Sequence, residues 1–113
     1  MKHFVPAVAA VLTVALGAFL SAEDKAARGK QLYEEQKCRM CHNVGGIGNP
    51  KGVALDAVGS KHAPDVLKMW LTQPKEMAQK ANSTRKPPMK SFATLKAADI
   101  DALVAYLSSL KKH

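Results

Sequence analysis

The five residues Cys38-Arg39-Met40-Cys41-His42 constrain this chain more than any other part of its sequence. Two thiols separated by two residues of a helical turn can bond to neighbouring groups on one planar ring. A histidine directly after the second thiol can then direct its imidazole at a metal in the centre of that ring. C-x-x-C-H is the attachment signature of a c-type haem. Because the chain has 2 cysteines and both lie in this motif, the sequence predicts one haem c, bonded to Cys38 and Cys41 and ligated by His42.

The cysteine spacing alone has three other interpretations. A thioredoxin-like redox pair is expected in a βαβ setting, and no alternating strand and helix pattern is visible. Half of a zinc site would need two further Cys or His ligands. The remaining histidines are His3, His62 and His113, of which His3 lies in an N-terminal leader and His113 ends the chain. A plain disulfide between Cys38 and Cys41 stays open, so the rest of the chain has to support the haem interpretation.

Residues 1–22 differ in composition from the rest of the chain. Lys2 gives a basic start, the stretch Phe4–Leu20 is almost entirely apolar, and small residues precede the first acidic pair. This pattern predicts a secretory signal peptide cleaved after Ala22, followed by one domain over residues 23–113. The apolar stretch also approaches the ~17–25 residues that span a bilayer, so a retained membrane anchor is the alternative. In both cases we expect export, which in a bacterium means the periplasm.

The chain is strongly basic, with a formal net charge of +8 over 113 residues. A basic surface favours an acidic protein partner, an anionic membrane or nucleic acid. Nucleic acid is disfavoured by the predicted export and by the absence of a basic motif with interleaved aromatic residues. We therefore expect a protein partner with an acidic docking surface, and membrane contact only if the N-terminal segment is retained. The alternative is that the lysines serve solubility alone.

Apolar residues recurring at helical spacing predict an all-α domain with three main helices. The helices cover roughly residues 24–36, 64–74 and 97–110. Pro74 either ends the second helix or opens another short turn. The glycine-rich segment 43–60 is predicted to be loop. Gly29 costs its helix about 1 kcal/mol relative to alanine, which favours a close approach by another helix at that position.

A second iron ligand is expected from a methionine or a histidine outside the motif. The candidates are Met40, Met69, Met77, Met89 and His62. Met40 lies between the attachment cysteines and cannot reach the opposite face of the ring. Met89 follows Pro87-Pro88 in a loop, and prolines restrict the backbone in a way that suits holding a weak thioether ligand. Most lone methionines pack in cores, but the haem motif upstream and the loop setting favour Met89 as the ligand. His62 and Met77 remain alternatives to Met89.

Six segments, taken in this order, resemble the class I c-type cytochromes. They are Gly29-Lys-Gln-Leu-Tyr33, Cys38-Arg-Met-Cys41-His42, Gly52-Val-Ala-Leu55, Pro64-Asp-Val-Leu-Lys-Met-Trp-Leu71, Pro88-Met-Lys-Ser-Phe92 and Leu103-Val-Ala-Tyr-Leu107. Only the haem motif is specific by itself. The resemblance covers about residues 23–110 and implies a small helical cytochrome c-like fold around one haem. It also implies His42 and Met89 as axial ligands, and a crossing of the first and third helices at Gly29 near Tyr106.

The chain departs from the pattern of these cytochromes in three places. Val53 replaces a proline whose carbonyl accepts a hydrogen bond from the ligand histidine, and a valine carbonyl can accept the same bond. Lys90 replaces a proline after the ligand methionine. Ala63 and Lys96 stand where a helix-capping Ser, Thr or Asp is preferred. The resemblance also implies a contact between Trp70 and a haem propionate, with core packing as the alternative.

A one-electron carrier is the function that these features favour. Two axial ligands leave the iron no open position, so we expect no enzymatic activity. Lys61, Lys86 and Lys90 are expected to border the haem edge and steer an acidic redox partner. A dedicated cytochrome subunit of a periplasmic dehydrogenase is the first alternative. An open-site haem enzyme or gas sensor is the second, and it requires that Met89 does not ligate.

Overall fold

The computed structural model describes residues 21–112. The helices are α1 (Ala22–Glu35), α2 (Val58–Lys61), α3 (Pro64–Thr72), α4 (Pro74–Lys80) and α5 (Ala97–Ser109), and the strands are β1 (His42–Val44), β2 (Ile47–Gly48) and β3 (Val53–Ala54), with a 3-10 turn at Cys38–Met40. Nearly all of the predicted leader, residues 1–22, lies outside the described residues, so its assignment stays a prediction. Within residues 21–112 no helix has the length and hydropathy needed to cross a membrane.

The three main helices predicted from the sequence correspond to α1, α3 and α5. Two shorter helices, α2 and α4, accompany them, so that the described residues form 5 α-helices. Pro74 does not only follow α3. It also occupies the first turn of α4, where its missing N–H loses no hydrogen bond. The remaining helix, α2, is 4 residues long and lies in the segment predicted to be loop. Ala63 and Lys96 precede α3 and α5 without a side-chain cap, as the sequence predicted.

A small sheet also forms inside the segment that was predicted to be loop. β1 is the central strand and pairs antiparallel with β2 and parallel with β3. Gly45 and Gly46 connect β1 to β2 with φ of 58° and 78°, values that favour glycine. Strands of 2 or 3 residues are too short to show a period-2 pattern, so the sequence had no signal for them. The sheet pairs His42 with Val53.

The core is built where α1 crosses α5, with α3 packed against α5. Its buried side chains are Leu32, Tyr33, Leu67, Leu71, Phe92, Ile100, Ala102, Leu103 and Leu107. Gly29 lies at the crossing, where a Cβ atom would overlap the Ala102 carbonyl and come within 2.6 Å of Tyr106 Cβ. The rings of Tyr33 and Tyr106 pack edge to face with centroids 5.5 Å apart. The predicted close approach of a helix at Gly29 is therefore confirmed.

Replacing Gly29 with alanine should destabilise the fold, although alanine is the better helix former. The added methyl group meets backbone atoms of α5, and overpacking of this kind costs about 1–3 kcal/mol or more. We expect Gly29→Ala to lower the free energy of unfolding in denaturant by at least about 2 kcal/mol. Lys30→Ala is the control, because Lys30 is an exposed residue of the same helix. An equal loss in the two variants would contradict a helix contact at Gly29.

Replacing Tyr33 with phenylalanine should stabilise the protein, and increasingly so at alkaline pH. The Tyr33 hydroxyl is buried without a hydrogen-bond partner among the described residues, a condition that costs about 1–3 kcal/mol. Burial raises the pKa of Tyr33 to about 12. In the unfolded chain the group ionises near pH 10, so the parent loses stability as the pH rises from about 10 towards 12.

The measurement is the free energy of unfolding of parent and Tyr33→Phe across that pH range. The difference should be about 1 kcal/mol at neutral pH and grow above pH 10. Tyr106→Phe is the matched control, since Tyr106 is less buried. A Tyr33→Phe variant that is less stable than the parent at every pH would show that the hydroxyl has a favourable partner.

Candidate functional site

A cavity of about 790 Å³ lies beside the core and is lined by residues from both halves of the chain. Cofactor and ligand sites typically fall between about 300 and 1,000 Å³. Cys38, Cys41 and His42 line the cavity from one side of the sequence, and Met89 lines it from the other. The structure thus brings all four predicted site residues around one space. Most of the other lining side chains are apolar.

The attachment cysteines are held by a single tight turn. α1 ends at Glu35, and Lys37 adopts a left-handed conformation with φ of 59° that redirects the chain. The Cys41 N–H then donates to the Cys38 carbonyl at 3.1 Å, which closes the turn. Neither sulfur is in a disulfide. Cys38 is half-buried, and burial raises the pKa of its thiol to about 11, so the group remains a neutral thiol at physiological pH.

His42 is held as a neutral imidazole with a defined tautomer. Its Nδ1 lies 3.1 Å from the Val53 carbonyl oxygen, and because a carbonyl can only accept, Nδ1 must carry the proton. Burial lowers the pKa of His42, and the nearby Arg85 guanidinium adds to this, against the opposing effect of the Val53 hydrogen bond. The neutral ring therefore keeps a free lone pair on Nε2, the form in which histidine ligates metals. The sequence analysis anticipated that a valine carbonyl could accept this bond.

The candidates for the second ligand separate according to their positions around the cavity. Met89 and His62 line it, whereas Met69 and Met77 are absent from its lining among the described residues. Met40 also borders the cavity, but its side chain is 66% exposed and it lies between the cysteines. Met89 is half-buried and packs against the core. The structure therefore keeps His62 as an alternative to Met89 and gives no support to Met77.

The segment that carries Met89 is tied to α3 by backbone carbonyls at the end of that helix. The Phe92 N–H donates to the Leu71 carbonyl at 2.8 Å, and Ser91 Oγ donates to the Thr72 carbonyl at 3.3 Å. On the other side of Met89, Arg85 Nη1 reaches the Lys51 carbonyl at 3.4 Å. These bonds hold a segment without regular secondary structure beside the cavity.

The charged residues around the cavity are all basic. They are Lys37, Lys51, Arg85, Lys86 and Lys90, which we call the basic rim, and no Asp or Glu of residues 21–112 joins them. Lys86 and Lys90 were predicted from the sequence, while Lys61 lies on α2 outside the lining. Lys37, Lys51 and Arg85 were missed, although all three lie in or beside segments that the sequence analysis had singled out. Trp70 is half-buried and lines the cavity, so both of its interpretations remain.

The residues around the cavity fit a covalently attached haem. Two unbonded thiols are separated by one turn, and an imidazole with its Nδ1 proton engaged by a carbonyl lies directly after them. A thioether lines the same largely apolar cavity. The soft thioether and the neutral imidazole are the donor pair that haem iron takes in cytochromes c. Both the donor atoms and the apolar cavity are therefore those that a c-type haem requires.

Comparisons with known proteins point in the same direction. The sequence model of one protein family, described as Cytochrome c, matches residues 26–111. Cytochrome c oxidase subunit 2 of Alkalihalophilus pseudofirmus is 32% identical to the chain in an alignment of 97 residues that covers 79% of this chain and 27% of that protein. The chain therefore spans about a quarter of the length of this relative. No solved structure matches the chain.

Proposed function

The chain belongs to the cytochrome c family, and from that premise we propose that it is an exported one-electron carrier with His42 and Met89 as iron ligands. Family membership by itself makes it a haem protein of electron transfer. One observation carries the finer proposal. A single cavity collects the thiols of Cys38 and Cys41, the imidazole of His42 and the thioether of Met89.

A c-type haem bound here supplies an iron that cycles between two oxidation states, at a potential raised by Met/His ligation. Cys38 and Cys41 keep the group attached, so the carrier does not lose it on dilution. His42 and Met89 occupy the ligand positions, which leaves none for a substrate and suppresses other chemistry. The apolar lining excludes water from the buried side. These roles together favour transfer of an electron over catalysis.

The basic rim is the surface that we propose for docking a redox partner. The large apolar side chains exposed in the described part of the chain are Met40, Ile47 and Val53, all close in sequence to the attachment motif. Met40 and Val53 also line the cavity beside these cations, and this combination fits a partner with an acidic edge around its own redox centre. Such charges mainly raise the rate of association and increase the specificity for one partner over others. Screening limits their reach to about 8 Å at physiological salt.

A respiratory oxidase is the class of electron acceptor that we propose. The relative that matches this chain carries the name of an oxidase subunit, and a cytochrome c segment within such a subunit would receive electrons for it. The same likeness favours a second candidate, in which this chain is a permanently bound cytochrome subunit of a larger redox enzyme, an oxidase or a periplasmic dehydrogenase. Copurification of a stoichiometric enzyme would favour the subunit, and a monomeric pool would favour the carrier.

Replacing Met89 with alanine should leave one ligand position of the iron open. We expect the parent to show a c-type optical spectrum with a methionine-to-iron charge-transfer band when oxidised, and Met89→Ala to lose that band and bind carbon monoxide when reduced. Met77→Ala is the matched control, because Met77 lies on α4 and does not line the cavity. A band that persists in Met89→Ala and disappears in another methionine variant would reassign the ligand. A parent that lacks the band and changes its spectrum in His62→Ala would assign His62.

Removing charge from the basic rim should slow electron exchange with an acidic redox protein. We expect Lys51→Ala/Lys86→Ala to lower the second-order rate constant at low salt by roughly threefold or more, and to weaken its dependence on ionic strength. Lys75→Ala/Lys80→Ala removes the same charge from two residues of α4 that do not line the cavity, and should have a smaller effect. Stopped-flow absorbance at several salt concentrations measures the rate constants of the parent and of the two double variants. Equal effects of the two pairs would place docking elsewhere.

A further inference from the structure

Asn49 holds the backbone of the attachment motif through both its side-chain amide and its backbone N–H. Its Nδ2 donates to the Met40 carbonyl at 2.9 Å. Its N–H lies 2.9 Å from the Arg39 carbonyl and 3.1 Å from the His42 carbonyl, and its Oδ1 accepts from the Lys51 N–H at 2.9 Å. A residue outside the motif thus satisfies carbonyls that the short turn leaves without partners.

Asn43 continues this network from the other side of His42. Its Nδ2 donates to the Asn49 carbonyl at 2.9 Å and to the Gly52 carbonyl at 3.4 Å. Its own carbonyl accepts from the Leu55 N–H at 2.9 Å. The Asn43 side chain therefore bridges β1 to both ends of the segment 49–52, which leads directly into Val53.

The segment 49–52 also lies unusually close to the motif. A Cβ atom at Gly52 would overlap the Cys41 carbonyl, and the Gly52 N–H donates to the Asn49 carbonyl at 3.0 Å. Gly48 has φ of 126° and would place a Cβ atom against the His42 carbonyl. The backbone before Val53 is therefore pressed against the backbone around His42, and the asparagines are the side chains that tie the two together.

We propose that Asn43 and Asn49 form an amide clamp that positions the Val53 carbonyl against His42 Nδ1. The cytochromes that this chain resembles have a proline where this chain has Val53, and a proline ring fixes φ by itself. Valine leaves that dihedral angle free, so the clamp supplies the missing restraint. Both asparagines are positioning residues, since they act on His42 only through the backbone. The inference rests on the proposed function, because it assigns His42 as the iron ligand.

The clamp has a consequence for the redox equilibrium. A hydrogen bond from the distal ring N–H of a ligating histidine fixes the ring orientation and raises its basicity. A more basic imidazole stabilises the oxidised metal more than the reduced metal. If the Val53 carbonyl is held less firmly, the reduction potential should rise and the Nδ1 proton of His42 should become exposed to solvent. A merely structural network would change stability without these local effects.

The test uses the haem-loaded protein, in which a c-type spectrum of the parent is recorded first. Asn43→Ala and Asn49→Ala are then compared with the parent by two measurements: solvent exchange of the His42 Nδ1 proton by NMR in the reduced state, and the equilibrium reduction potential. We expect exchange to be at least about tenfold faster. The redox equilibrium constant should shift by up to about tenfold towards reduction, which is 59 mV for one electron.

Three controls separate the clamp from general loosening. Gln79→Ala removes an exposed amide from α4 and should leave both measurements unchanged. The slowest backbone amides of α5 report global opening, and their protection should fall less than that of the ring proton. In a Val53→Pro background, Asn43→Ala should change the ring-proton exchange and the reduction potential less, because proline itself restrains the φ angle of residue 53.

Specific outcomes would overturn the proposal. A ring proton that stays as protected as in the parent, or that loses protection only in step with the α5 amides, would refute the clamp. If Asn43→Ala does not fold, Asn49→Ala decides alone, since it preserves every backbone hydrogen bond of residue 49. A parent without a c-type spectrum would refute the proposed function and this inference with it. A normal parent spectrum with unchanged ring protection would refute the clamp only.

Discussion

The crossing of α1 and α5 is the contact on which the rest of this structure depends. Gly29 removes the side chain that would hold the helices apart, and Leu32 and Leu103 become the largest fully buried side chains of the described residues. α1 leads within three residues to Cys38, so the crossing sets where the attachment motif begins. Leu103 on α5 also lines the cavity. One helix contact therefore places both the turn proposed for haem attachment and a wall of the cavity.

The two segments that carry the proposed ligands are positioned in different ways, because neither lies in a long helix. On the His42 side, two asparagine amides and two close-packed glycines hold short strands together. On the Met89 side, the chain is tied to the last carbonyls of α3, which have no partner within that helix. Both arrangements pair backbone groups that would otherwise be unsatisfied beside an apolar cavity. The cations then collect at the rim, where their charges stay in water.

The sequence predicted the parts of the fold that depend on local periodicity. α1, α3 and α5 are long enough for an apolar face to repeat, and Gly29 was correctly read as a close helix contact. The strands and α2 were missed, because elements of 2 to 4 residues leave no repeating pattern. The basic rim was predicted in part. Lys51 and Arg85 come from distant segments, and no local signal says that they meet at one cavity.

The sequence by itself determined which chemistry this protein can perform. C-x-x-C-H indicates a c-type haem from five adjacent residues, since the proposed attachment and the proposed ligation by His42 need only local spacing. Only the tertiary structure decided which distant side chains share the cavity with His42, that the Val53 carbonyl accepts a hydrogen bond from the ring N–H, and that Asn43 and Asn49 hold that segment. The reason is physical: helical periodicity is encoded within a few residues, whereas contacts between segments that are not neighbours along the chain depend on how the whole chain packs.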